Sequence, residues 1–422
     1  MKKRILALSL AAAMLVGAMA SCSAKEEVVS STGDAAEARD ISLTLWGSPE
    51  DQGFLKVITA EWGAKYAAEN ADVKSVTVDV QIMDEDKAPG NAMNDIAAAA
   101  DVFGIPSNDF KALRDNNAIF PISEGVASQV KEIIGDTIVW NSTLWEGQCW
   151  GIPYTPNNAS VLYYNKENLS EADVKSLNTI IEKGALGFES SGGWHDMMWF
   201  ATSGAELYTA QNKDVNTLNN DNNVKLLAWL GTQMKDGKII RSDGADNLAN
   251  AMKDGQLIAA IEGSWASKKF STALGDKLGV AELPCMTVEG TDIKDKHMIC
   301  FGGSKMNVVN AQSKEPEAAM ALAFYIGSED SQVKRFLLAG KCPATLSLAE
   351  SNPDIAADPV VAADLKQGAY NLNCSPLVNV SQYWGEVGGL VEAIKGGTVN
   401  GEEAIKEKLD TAVTNMQANV NK

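Results

Sequence analysis

The sequence predicts an α/β fold, with mostly parallel sheets flanked by helices. Two patterns predict it. From Ile41 onward, stretches that alternate apolar and polar residues give way to stretches with helical spacing, in the order β-α-β-α-β over residues 41–103. The length is also ample for two domains of ordinary size, each with its own core. A strand that feeds a helix and then another strand builds parallel sheet. The connections at the carboxyl ends of such strands are the usual ligand positions.

The elements follow in order. Ile41, Leu43 and Leu45 alternate with Ser42, Thr44 and Trp46, and Gly47-Ser48-Pro49 breaks the strand. Leu55, Ile58, Trp62 and Tyr66 recur at helical spacing. Val76, Val78, Val80 and Ile82 alternate again. An Ala-rich helix is predicted over Asn91 to Ala100, then a short strand at Val102-Phe103. Gly151 to Tyr154 and Ser160 to Asn165 are predicted as strands near a crossover. Val224 to Met234 forms an amphipathic helix, with Leu227, Leu230 and Met234 on one face. Leu257 to Ile261 is a strand that runs into Glu262-Gly263-Ser264-Trp265. Two short strands surround Gly302-Gly303, a helix starts near Pro316, and Gly340 to Thr345 is a connection. Helices near Gln382 to Lys395 and Glu402 to Gln417 close the chain. No internal repeat is present.

The amino terminus addresses the chain for export. Lys2, Lys3 and Arg4 precede an uncharged apolar run, Ile5 to Ala18, too short for a comfortable membrane span. Met19-Ala20-Ser21-Cys22 resembles a bacterial lipobox. That resemblance implies cleavage before Cys22 and lipid on its sulfur and new amino group, leaving residues 1–21 as signal peptide. The competing reading is an ordinary secretory signal with an incidental Cys. Residues 22–39, rich in Ser, Ala, Glu and Asp, form a flexible leash. The protein is therefore expected on the extracellular face of the cell membrane, lipid-anchored and otherwise without a spanning segment.

Charge excludes several classes. Losing Lys2, Lys3 and Arg4 takes the formal charge from −19 to −22, which repels nucleic-acid phosphates and anionic headgroups. Only two His occur, and the Cys form no CxxC, so neither a metal site nor a cofactor is expected. Five Cys remain after Cys22 (Cys149, Cys285, Cys300, Cys342 and Cys374), an odd number that argues against a full disulfide framework. No GxSxG, P-loop or HExxH occurs, and no catalytic residue is assigned.

Ten Trp in a chain only 7% aromatic call for a use. Trp46, Trp194 and Trp265 fall beside glycines at strand ends or loops, and Trp384 lies near the start of a late helix. Trp145 and Trp150 flank Gly147 in a turn, whereas Trp62 and Trp229 sit in helical patterns and read as core. An indole face suits the C–H face of a pyranose, whose hydroxyls need carboxylates and amides at the rim. Glu50, Asp51, Asn108, Asp109, Asn157, Asn158, Glu189 and Glu262 supply such groups near the same strand ends.

With Leu43-Thr44-Leu45-Trp46-Gly47, the stretch Pro153 to Lys166, Ile261 to Trp265, and Trp384, the chain resembles the solute-binding proteins of bacterial sugar ABC importers. It is similar to the maltose and maltodextrin-binding group in particular. The resemblance implies two lobes around a ligand cleft, each a mostly parallel sheet flanked by helices. One lobe is expected over 40–156 and 299–341, the other over 157–298 and 342–422, with hinges near Asn157, Ile299 and Gly340. It implies stacking on Trp265 and Trp384, then Trp46. Hydroxyl contacts are implied from Glu50, Asp51, Asp109 and Asn158, with Glu189 and Trp194 in a segment that matches only loosely. It also implies a monomeric receptor that binds malto-oligosaccharides and docks on a membrane permease. A receptor for a β-glucan or xylan fragment is the alternative, and a glycoside-active enzyme with paired carboxylates is the rival from another class.

Overall fold

The computed structural model describes residues 38–156, 159–190, 192–206, 216–373 and 381–419. Cys22 and Asn158 lie outside them. Two five-stranded sheets organise the fold. The first uses β1 (Arg39–Gly47), β2 (Val73–Ile82), β3 (Val102–Pro106), β4 (Ile152–Thr155) and β10 (Lys305–Val309). The second uses β5 (Ser160–Asn165), β6 (Leu186–Glu189), β7 (Ile239–Ser242), β8 (Ala259–Gly263) and β9 (Leu278–Ala281).

The first sheet runs β2-β1-β3-β10-β4. Its β1–β2 and β1–β3 pairs are parallel, and β10 runs antiparallel to both of its neighbours. The second runs β9-β5-β8-β6-β7, with β6 parallel to both β7 and β8, and β5 antiparallel to β8 and β9. The expected α/β class, with mostly parallel sheets and covering helices, is what the chain adopts.

Each sheet carries packed apolar clusters on both faces, as βα crossovers favour. On the first, Ile41, Leu43 and Leu45 face a cluster with Phe54, Ile58 and Trp62 of helix Gln52–Glu69 and Leu322 of helix Pro316–Gly327. Trp46, Phe103, Ile105 and Val308 form a cluster with the short helices Ala88–Asn94 and Phe110–Asp115. In the second, Leu162, Phe188 and Ile261 join Trp199, Leu227, Leu230 and Val391. Tyr163 stacks on Phe270 in a further cluster, with ring centroids 4.0 Å apart.

The chain passes from the first sheet to the second between β4 and β5, and returns between β9 and β10. It passes again after helix Glu329–Ala339, through residues 340–345, to helix Pro359–Gly368 against β5 and β9. These crossings set the two sheets on opposite sides of one cleft.

One helix differs from expectation. The Ala-rich stretch forms a helix over Ala88–Asn94, not Asn91 to Ala100. Asp95 ends it: its backbone is extended, and its carboxylate accepts from the amides of Ala97 and Ala98 at 3.1 and 3.2 Å. A short polar side chain that bonds local amides competes with helix propagation. The strand expected over Leu257 to Ile261 lies two residues later, as β8. Cys149, Cys285, Cys300 and Cys342 are free thiols. Among the described residues, no helix is long and apolar enough to cross a membrane, and no cluster of His, Cys, Asp and Glu could hold a metal.

Candidate functional site

A cleft of about 1410 Å³ opens between the two sheets, and strand carboxyl ends feed it from both sides. From the first sheet, the segment after β1 presents Glu50, that after β2 presents Glu85 and Asp86, and that after β3 presents Asn108 and Asp109. Lys305 opens β10. From the second sheet come Glu189 at the end of β6, Gly244 after β7, and Glu262 and Trp265 at and after the end of β8. Trp194 and His195 begin helix Gly193–Ser203, and Trp384 begins helix Ser381–Lys395.

Glycines bring these aromatics together. A Cβ on Gly193 would lie 2.0 Å from the Trp384 carbonyl oxygen, so the two helices meet backbone to backbone there. A Cβ on Gly263 would lie 2.2 Å from the Trp265 ring, which lies folded over its own strand end. Trp194 and Trp265 have ring centroids 5.8 Å apart at a tilt of 58°. Trp384 packs its edge against Phe301 at 5.5 Å. Lys341, in the last crossing segment, donates to the Trp265 carbonyl at 3.2 Å and ties that crossing to the aromatic loop.

The polar side is held by charge pairs. Lys305 Nζ lies 3.0 Å from Glu85, and the Tyr154 hydroxyl donates to the other Glu85 oxygen at 3.0 Å. Burial alone would push the Glu85 carboxyl up, but Lys305 outweighs it and holds the carboxyl below the usual range. Asp109 has no such cation. Burial, with Asp86 nearby, pushes it up to about 6, although Asn108 donates to it at 2.8 Å.

Of the sequence-assigned residues, the cleft gathers Glu50, Asp109, Glu189, Trp194, Trp265 and Trp384. It excludes two. Trp46 is a core residue, 5.7 Å from Phe103, with its indole N–H donating to Gln81 at 3.0 Å. At its carboxyl end β1 is buried on both faces, so the side of the strand opposite Leu45 is core there as well. Asp51 points inward and receives Arg335 in a forked pair, with Nε at 3.0 Å and Nη2 at 2.7 Å from Oδ2. Arg335 also donates to the Tyr154 carbonyl and the Thr155 hydroxyl. Burial opposes the charge on Asp51, but Arg335 holds the carboxyl below its ordinary value. Asp51 is therefore spent on Arg335, which ties helix Glu329–Ala339 both to the segment after β1 and to the first crossing. Trp145 is also occupied elsewhere, under the Arg114 guanidinium at 3.9 Å.

Sequence reasoning missed His195, Glu85, Asp86, Lys305 and Lys341. His195 Nε2 lies 3.0 Å from Glu189 Oε2, and the ring stands edge-on to Trp194 at 4.9 Å. Its place directly after a predicted stacking Trp was the available signal.

A two-lobed α/β chain with a ligand cleft at its strand ends defines a class, and the comparisons agree with it. The family model for bacterial extracellular solute-binding proteins matches residues 61–363, and the chain belongs to that family. It is 24% identical over 312 residues to the galactooligosaccharide-binding protein of Bacillus subtilis (strain 168), covering 69% of this chain and 72% of that one. A structure solved with acarbose is 27% identical, with a TM-score of 0.82, covering 90% of this chain and 99% of the other. The maltodextrin-binding protein MalE1 of L. casei BL23, solved without ligand, is 24% identical with a TM-score of 0.75 and the same coverage.

Proposed function

We propose that this chain is the sugar-capturing receptor of an ABC importer, and that its ligand is a malto-oligosaccharide. One observation carries the reading: Trp194, Trp265 and Trp384 converge on one side of the cleft, opposite Glu50 and Asp109 on the other. Indole faces take the C–H faces of successive pyranoses, and the carboxylates accept from their hydroxyls. The structural likeness to maltodextrin-binding proteins supports α-1,4-linked glucose. A ligand that touches both sides favours the closed arrangement only through its better binding to it, and that closed form is what docks on the permease. We take the lobes as 40–156 with 299–341, and 157–298 with 342–422. Lipid on Cys22 tethers the receptor to the extracellular face of the membrane, and binding proceeds without turnover.

The Bacillus subtilis relative favours a second reading, a galactooligosaccharide ligand. Calorimetric titration with maltotriose, maltotetraose, a galactooligosaccharide, cellotetraose and xylotetraose separates the two. Heat with the maltose series alone supports the first. Heat with the galactoside or a β-linked sugar keeps the receptor and changes its ligand, and silence throughout removes the sugar reading. For the anchor, Cys22→Ala is expected to release the protein from membranes with sugar binding intact. A variant that stays attached contradicts the tether.

A further inference from the structure

The stacking side contains an arrangement that neither its aromatics nor its fold explains. Glu189 and Glu262 are 3% and 2% exposed, on the neighbouring parallel strands β6 and β8. The register pairs Phe188 with Ile261, so the two carboxylates are the next step of the same ladder. Two buried carboxylates side by side repel, and each carries a desolvation cost. His195 is placed between them: Nε2 lies 3.0 Å from Glu189 Oε2 and 4.0 Å from Glu262 Oε1. Glu189 Oε1 is held by the amide of Gly244 at 2.9 Å, and Glu262 Oε1 by the amide of Gly263 at 2.6 Å.

Two atoms of this group are buried without a hydrogen-bond partner among the described residues: His195 Nδ1 and Glu262 Oε2. Both residues line the cleft. A charged imidazole carries N–H on both nitrogens, so Nδ1 is a donor while Nε2 serves Glu189. A neutral ring that keeps its Nε2 proton turns Nδ1 into an acceptor.

We propose that His195 is a specificity-determining residue: as an imidazolium it clamps Glu189 and Glu262, which leaves its Nδ1 as a donor and Glu262 Oε2 as an acceptor for adjacent hydroxyls of a pyranose stacked on Trp194 and Trp265. This rests on the sugar reading above. Such a site favours a vicinal diol with one hydroxyl receiving and the other donating, and it disfavours a sugar deoxygenated at either position. The charged groups around the ring are Glu189, Glu262 and Asp196, the last paired with Arg241, and Lys269 acts on Glu262. Burial opposes the ring's charge, but the hydrogen bond to Glu189 and the nearby Glu262 and Asp196 outweigh it, raising its pKa above the ordinary value.

The test uses the full chain and its two histidines, His195 and His297, which NMR tells apart with a His297→Gln variant. His195 is expected to titrate above the ordinary value of about 6.5, and Glu262→Gln to lower it. Maltotetraose affinity is expected to hold on the acidic side and fall about tenfold per pH unit above that pKa. His195→Gln should bind weakly with a flat profile. Titration of His195 at or below the ordinary value overturns the clamp, as does a flat wild-type profile with His195→Gln binding equally well. If maltotetraose does not bind at all, the malto-oligosaccharide reading fails, and the imidazole titration still decides the clamp.

Discussion

The two sides of the cleft are built from different chemistry. The first sheet contributes Glu50, Glu85, Asp86, Asp109 and Lys305, a wall of charges with their partners. The second contributes Trp194, Trp265 and Trp384, with carboxylates set between them. Both walls stand at strand carboxyl ends, so topology alone does not produce the difference. It comes from where the Trp residues can go. On the first side, Trp46 fills the space against Phe103 and the short helices. On the second, Gly193 lets the backbone at Trp384 approach closely, and Gly263 leaves room for the Trp265 indole over its strand end. One wall holds sugar faces in this account, and the other reads hydroxyls.

The sharpest way to break this division is at Asp51 and Trp46, which the account assigns to the framework. Asp51→Ala strands a buried Arg335 and is expected to cost about 3–5 kcal/mol of unfolding free energy. Trp46→Ala leaves a core cavity and is expected to cost about the same. Denaturant unfolding checks both. A variant with an unchanged unfolding midpoint and lost sugar affinity would return that residue to the cleft.

Trp265→Ala tests the other half. It is expected to weaken maltotetraose binding by about 2 kcal/mol, the scale of an interface hot spot, with a smaller change in stability. Calorimetry and thermal unfolding, run together, read the two quantities. Unaltered affinity would move the stacking platform elsewhere.

The smallest effect is at Asp109. Its folded pKa, about 6, is raised above the ordinary value, so the folded state holds its proton longer than the unfolded chain. Stability therefore falls as pH rises from about 4 to about 6, because the unfolded state ionises first. Asp109→Asn is expected to raise stability near neutral pH by about 1 kcal/mol, discounted for the group's partial exposure, and to change nothing near pH 4. A stability gain that persists at pH 4 would show another cause.

The sheets, most helices and half of the site were legible in the sequence. Alternation and helical spacing located the strands, and Trp265, Trp384 and Glu189 stood out because aromatics and carboxylates clustered at strand ends. What escaped depends on distant partners. Asp51 looks like a cleft carboxylate until Arg335, 284 positions later, closes on it. Trp46 looked available because period-two alternation does not tell a strand covered on one face from one covered on both. His195 reads as an ordinary helical residue unless Glu189 and Glu262 are known to be neighbours across two strands. Asp95 shows the local version of the same problem, since composition favoured a longer helix and one side chain ended it.

The most direct measurement is the crystal structure of the protein with maltotetraose. The account predicts pyranose rings against Trp265, Trp194 and Trp384, with hydroxyls directed to Glu50 and Asp109 across the cleft. Sugar rings lying against the charged wall, or a sugar bound outside the cleft, would contradict it.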